Sequence, residues 1–154
     1  MKTKHVILSL IFALGAMPGL RADPAPAAPL EITITANDAM KYNLTKVEAH
    51  PGQKITVHFK NAGTLPKEVM GHNWILLKLG VPLEAYAQVA GLAKSEGFEP
   101  KAYADKTIAS VPLLGGGQSA DVTFTCPTAP GNYDYLCSFP GHAQLGMKGV
   151  LIVK

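Results

Sequence analysis

Charge, aromatic residues and cysteine are all scarce in this sequence. Asp, Glu, Lys and Arg make up 16% of its 154 residues and aromatics 7%, while 47% are hydrophobic. That balance excludes a charge-rich disordered chain and a coiled coil built on Lys and Glu. No run of like charges exceeds two after the first thirty residues, and no basic stripe is interleaved with aromatics. Nucleic-acid binding therefore has no electrostatic footprint. Two cysteines allow one disulfide at most. Internal repeats are absent. What is plentiful is turn-forming residues, 15 Gly and 12 Pro, which predict short strands rather than long helices in one domain.

The first residues have the plan of a secretory signal peptide. Lys2 and Lys4 precede an apolar run from Val6 to Met17, and the small-residue exit Leu20-Arg21-Ala22 follows. The alternative is a membrane anchor, but the run falls short of the roughly twenty residues that span a bilayer, so no stable membrane insertion is expected after cleavage. Residues 1–22 are thus assigned to a signal peptide, 23–29 (DPAPAAP) to an extended Pro/Ala linker, and 30–154 to the working domain. Lys2, Lys4 and Arg21 leave with the peptide, so eleven basic residues face eleven acidic ones and the formal charge of +3 disappears. The periplasm is the expected compartment, with the extracellular space as the alternative. Either is oxidising, which keeps a Cys126–Cys137 disulfide open as a use for the two thiols.

Several stretches alternate with period two, as half-buried strands do. Ile32 and Ile34 share one face of LEITITA; Ile55, Val57 and Phe59 share one face of QKITVHFK; Val122, Phe124 and Cys126 share one face of ADVTFTC. Tyr42 to Val47, Val69 to Leu79, Thr107 to Val111, Tyr133 to Ser138 and Lys148 to Lys154 are further strand candidates. Turn signals separate them at Pro51-Gly52, Asn61-Ala62-Gly63, Gly115-Gly116-Gly117 and Pro130-Gly131-Asn132. One segment, residues 82–97, has helical spacing in Leu83, Tyr86, Val89 and Ala93, with Pro82 suited to its start and Gly97 to its end. The pattern predicts an all-β fold: an antiparallel Greek-key sandwich of about eight strands with one inserted helix.

Chemistry concentrates near the C-terminus, in Cys137-Ser138-Phe139-Pro140-Gly141-His142-Ala143-Gln144-Leu145-Gly146-Met147. Thiolate and thioether favour Cu(I), imidazole accepts either copper state, and nothing here suits hard Mg²⁺ or Ca²⁺. Two His, one Cys and a weak axial Met make a blue-copper electron-transfer set. The second His is supplied by Met70-Gly71-His72-Asn73-Trp74, where Gly71 would let the backbone approach a metal closely.

GHNWILLK together with YLCSFPGHAQLGMKGVLIVK resembles the azurin and auracyanin branch of the cupredoxins, the small blue copper proteins, over about Leu30 to Lys154. The resemblance implies one copper at the end of a cupredoxin sandwich. Carried over by position, His72, Cys137 and His142 are equatorial ligands, Met147 the long axial one, and Gly71 a weak axial carbonyl on the opposite side. Asn73 and Ser138 match positions whose hydrogen bonds brace the ligand loop and the Cys sulfur. Three departures stand out. Four residues separate His142 from Met147 where azurins usually have three, with Gly146 the candidate for the extra one, a spacing nearer to plastocyanin and pseudoazurin. The N-terminal disulfide of azurins has no counterpart, and Ser110 lies where many azurins carry a titrating non-ligand His.

The remaining candidates read as ordinary structure. Cys126 shares a face with Val122 and Phe124 and suits a core; Trp74 and the Leu83–Ala93 stripe likewise; His50 suits a turn; His58 shares a solvated face with Thr56 and Lys60. The function expected is a one-electron carrier and not an enzyme, with copper cycling between Cu(II) and Cu(I). A redox protein such as a c-type cytochrome or a copper oxidoreductase would dock on an apolar patch around His142, formed by Met70, Phe139, Pro140, Ala143 and Leu145. The alternative is a copper carrier or chaperone, which would favour exposed Met- and His-rich ligands. A copper nitrite reductase would need further His ligands, and only His50 and His58 remain.

Overall fold

The computed structural model describes residues 27–154, so the signal-peptide assignment and most of the proposed linker lie outside the described residues. Among the described residues, nine strands form two packed sheets. One contains β1 (Leu30–Asn37), β2 (Lys41–Tyr42), β4 (Lys54–Asn61) and β7 (Ser119–Thr125) in the order β2-β1-β4-β7. The other contains β3 (Lys46–Ala49), β5 (His72–Leu77), β6 (Thr107–Leu114), β8 (Gly131–Leu136) and β9 (Lys148–Val153) in the order β3-β9-β8-β5-β6. The fold is the expected Greek-key β-sandwich, but its sheets are mixed. β1 runs parallel to β4 and β3 parallel to β9, and the remaining pairs are antiparallel. An alternating strand pattern reports faces, not directions, so the parallel pairs were not readable from it.

The alternating faces lie where their pattern put them. Ile34, Ile55, Val57 and Phe59 are fully buried between the sheets. Two expected strands break. Tyr42 to Val47 divides into β2 and β3, which lie in different sheets. Asn43 marks the break, because its side chain accepts the Thr35 N–H at 2.6 Å and donates to the Thr33 carbonyl at 3.3 Å. With its own N–H donating to the Thr35 carbonyl at 3.1 Å, Asn43 completes the pairing with β1, and the chain leaves for the other sheet after it. Val69 to Leu79 is divided as well, into the helical turn α1 (Lys67–Met70) and β5.

All six residues of β5 are buried. Trp74 and Leu76 belong to the core between the sheets, whereas Ile75 and Leu77 pack under the helix α2 (Leu83–Leu92). A strand covered on both faces reads as a continuous apolar run, as Trp74-Ile75-Leu76-Leu77 does here. The expected helix 82–97 is shorter than its pattern. α2 ends at Leu92, a 3₁₀ turn spans Lys94–Glu96, and Gly97 adopts a left-handed φ of 68°. The buried face is Tyr86, Ala87 and Ala90, and Val89 is exposed. Two alanines let the helix sit close to the sheet, over Leu136 of β8 and Ile75 and Leu77 of β5, a fit that outweighs the larger side chain of Val89.

Candidate metal centre

The site occupies one end of the sandwich, where β5 begins, β8 ends and β9 begins. β5 and β8 pair antiparallel with Ile75 opposite Leu136 and Leu76 opposite Tyr135. Continued by two residues, this register sets Asn73 against Ser138 and brings His72 to the Cys137 end. β8 and β9 pair with Leu136 opposite Lys148, and beyond that pair the Cys137 N–H donates to the Met147 carbonyl at 3.1 Å. Sheet register alone thus collects residues 65 and ten positions apart.

His142 comes from the loop between Cys137 and Met147. Its N–H donates to the Phe139 carbonyl at 3.1 Å, and its own carbonyl accepts the Met147 N–H at 2.9 Å. Gly141 and Gly146 have φ of 84° and 93°, a region that a side chain strains and glycine does not. Lys41, on β2, donates from Nζ to the Leu145 carbonyl at 2.8 Å, tying the extended His142–Met147 segment to the opposite sheet.

His72 Nδ1 lies 3.9 Å and His142 Nδ1 3.4 Å from Cys137 Sγ. Among the described residues these three form a group whose donor atoms lie within 4.8 Å of one another. His72 and Cys137 are fully buried and His142 is 3% exposed, with the fully buried Met147 flanking them in the chain. Two imidazoles and a thiol turned toward one another, with a thioether at the adjoining strand start, make a donor set that fits copper.

The electrostatics suit a metal more than a proton. Burial pushes the Cys137 thiol up to about 12, and only the Asn73 and Phe139 N–H groups, aimed at the sulfur, oppose it. Burial, and secondarily His72, drives His142 down to about 4. Burial also lowers His72, partly offset by the Asn37 carbonyl and the Asp38 carboxylate. At neutral pH both imidazoles keep a free lone pair, while the thiol must give up its proton on binding a metal.

Asn73 and Ser138 are joined by hydrogen bonds beside Cys137. Asn73 Nδ2 donates to Ser138 Oγ at 2.7 Å, Asn73 Oδ1 accepts the Ser138 N–H at 2.8 Å, and Ser138 Oγ donates to the Phe98 carbonyl. Phe98 holds a φ of 62°, uncommon for a non-glycine residue, and its ring packs on Phe139 at 5.1 Å, which packs on His142 at 4.7 Å. Sequence reasoning missed Phe98, Lys41 and Tyr42. No local motif marks them, and each reaches the site only through tertiary contact.

Gly71 is buried, as expected of a close approach, but its neighbours are protein atoms. A Cβ there would lie 2.5 Å from the Lys67 carbonyl oxygen and 2.9 Å from Leu113 Cγ. Cys126 is buried and free, as is Cys137, and its backbone pairs with Gly52 and Gln53 at the far end of β7; the disulfide alternative fails. His50 faces the Lys154 carbonyl at the far end of β9, and His58 pairs with Asp121 at 3.1 Å on the outer face of β4. Neither reaches the site. Of the apolar patch, Pro140 and Leu145 are exposed and Phe139 and Met70 half-buried, but Ala143 is buried under α2.

A sequence model of copper-binding proteins of the plastocyanin/azurin family matches residues 28–154. The chain belongs to this family. Among its relatives, the azurin of Achromobacter denitrificans is 43% identical over 135 residues, covering 83% of this chain and 87% of that protein. The azurin of Bordetella pertussis is 37% identical over 143 residues, covering 90% and 94%. Among solved structures, auracyanin from Roseiflexus castenholzii superposes with a TM-score of 0.69 at 36% identity, covering 83% of this chain and 99% of that one. Auracyanin A from Chloroflexus aurantiacus, described as a "blue" copper protein, gives 0.70 at 35% identity, covering 82% and 99%. This cupredoxin is therefore a blue copper electron-transfer protein whose cofactor is copper.

Proposed function

We propose that this cupredoxin is an exported, non-enzymatic carrier of single electrons, with His72, Cys137 and His142 as the strong copper ligands and Met147 as a weak one. The observation that carries the reading is the convergence of His72 Nδ1 and His142 Nδ1 on Cys137 Sγ in a buried pocket. Copper, when bound, supplies the one-electron exchange between Cu(II) and Cu(I). The chain holds the donors still: the Asn73–Ser138 pair, the Phe98 carbonyl and the β8–β9 register leave the ligands little freedom to rearrange between oxidation states. The Gly71 carbonyl would be a further, weak donor to the copper.

Electrons would leave through His142, whose loop carries the exposed Pro140 and Leu145 beside the half-buried Phe139. A c-type cytochrome or a copper oxidoreductase docking there would need only a small, transient interface. The neutral charge after removal of residues 1–22 argues against strong electrostatic steering, and no helix among the described residues is long and apolar enough to cross a membrane. We assign the protein to the periplasm on its N-terminal signal. A carrier that hands over copper itself would need accessible ligands, and none of these is more than 3% exposed.

Metal analysis with a visible spectrum tests the assignment. One copper per chain and an intense blue colour in the oxidised protein are expected; a colourless Cu(II) protein would overturn it. Met147→Leu should keep the colour and raise the reduction potential, because a donor that favours Cu(II) is lost while the thiolate remains. Cyclic voltammetry reads the shift, and an unchanged or lowered potential would remove Met147 from the ligand set.

A further inference from the structure

Asn73 bears on the centre in two ways: its N–H is aimed at the Cys137 sulfur, and its side chain binds Ser138 on both polar atoms. Yet its position in the sheet is irregular. The β5–β6 register shifts between His72, opposite Leu114, and Trp74, opposite Val111, so Asn73 faces two residues of a bulge on β6, Pro112 and Leu113, and has no single ladder partner there. A bulge of this kind leaves backbone groups outside the ladder, and in a fully buried residue they need another partner.

The partner comes from the other sheet. The Tyr42 hydroxyl donates to the Asn73 carbonyl at 2.6 Å. The tyrosine ring is 6% exposed and wedged between Phe59, edge-on at 6.1 Å, and Tyr135 at 5.9 Å, so the hydroxyl is held where it is. Burial raises the phenol well above its ordinary pKa, and the group remains a donor throughout the working range. A phenylalanine would fill the same aromatic space without the bond.

We propose that Tyr42 is a positioning residue for the copper centre: its hydroxyl pins Asn73 opposite the β6 bulge and thereby keeps the Asn73 N–H on the Cys137 sulfur. The inference rests on the copper assignment above. An N–H directed at the sulfur stabilises negative charge there, and the sulfur carries more of that charge beside Cu(I) than beside Cu(II). Freeing Asn73 therefore favours the oxidised state and lowers the reduction potential.

The test compares Tyr42→Phe with Tyr135→Phe in the full chain. Tyr135 is an internal control: its hydroxyl likewise donates across the core, to the Leu44 carbonyl at 2.8 Å, but touches nothing at the site. Both variants should lose a similar, small amount of thermal stability. Only Tyr42→Phe should displace the equilibrium with a fixed redox mediator toward Cu(II), by roughly two- to tenfold, the range of one hydrogen bond's net contribution. It alone should also shift the visible absorption band and speed amide exchange of Asn73 in copper-free protein. Loss of copper loading in Tyr42→Phe but not in Tyr135→Phe would equally support the role. Equal effects of the two variants, or an unmoved potential and band in Tyr42→Phe, would overturn it. A wild-type protein that stays colourless with Cu(II) would instead fault the copper assignment, and the Asn73 exchange rate would still report on the brace.

Discussion

Cys137→Ser protein loaded with Cu(II) is expected to lose the blue absorption entirely. The intense band of such a site requires a soft, polarisable thiolate whose electrons reach copper, and a serine oxygen has neither the energy nor the overlap. The substitution is otherwise mild. Cys137 is fully buried, serine is nearly its shape, and the Asn73 and Phe139 N–H groups that point at the sulfur can serve an oxygen. Folding should survive, and circular dichroism of the copper-free variant checks that it does. Cys126→Ser is the control. Cys126 lies at the far end of β7 beside Gly52, so that variant should stay blue. A coloured Cys137→Ser protein would mean that the thiolate has been assigned to the wrong residue.

Gly149→Ala should be among the most damaging single-methyl additions in the molecule. Gly149 lies directly opposite Tyr135 across β8 and β9. A Cβ at 149 would collide with the Tyr135 ring, overlapping Cζ and the hydroxyl oxygen and reaching Cε2 at 2.6 Å. The ring cannot yield, because it is fully buried, stacks on Trp74 at 5.6 Å and is tethered through its hydroxyl to Leu44. Either the ring moves into a filled core or the strands separate. Overpacking of this kind costs about 1–3 kcal/mol or more, which corresponds to a fall in Tm of roughly 4–12 °C. Thermal unfolding of copper-free protein measures it. Because β8 leads into Cys137 and β9 starts just after Met147, a distorted copper spectrum should accompany the loss. An unchanged Tm would show that the ring has room to move.

The two substitutions differ in how far each could be anticipated. Cys137 was legible at once, because Cys, His and Met within eleven residues carry a chemistry that few other sites need. His72 was legible through GHNW, and the structure brings its Nδ1 to the same sulfur as that of His142. The alternating faces of β1, β4 and β7 were legible too, since period two is a local property of strands. Gly149 carried no signal. Its requirement for glycine is imposed by a ring on a neighbouring strand, and only the β8–β9 register makes them meet.

The misreadings have the same origin. Tyr42 to Val47 has the residues of one strand, but Asn43 diverts the chain and its two halves join different sheets. Val89 fits a helical stripe, yet the face that β8 and β5 accept is the one with Ala87 and Ala90. Ala143 follows His142 on what looks like an exposed loop, and α2 covers it. In each case a local preference met a neighbour distant in sequence.

By itself, then, the sequence singled out His72, Cys137 and His142, which the structure gathers, together with the all-β class and the inserted helix, because donor chemistry and side-chain period belong to short stretches of chain. The tertiary structure decided the strand directions, the division of Tyr42 from Val47 and the partners that hold Asn73. Those depend on which strands become neighbours and in what register, and register is settled by packing across the whole sandwich.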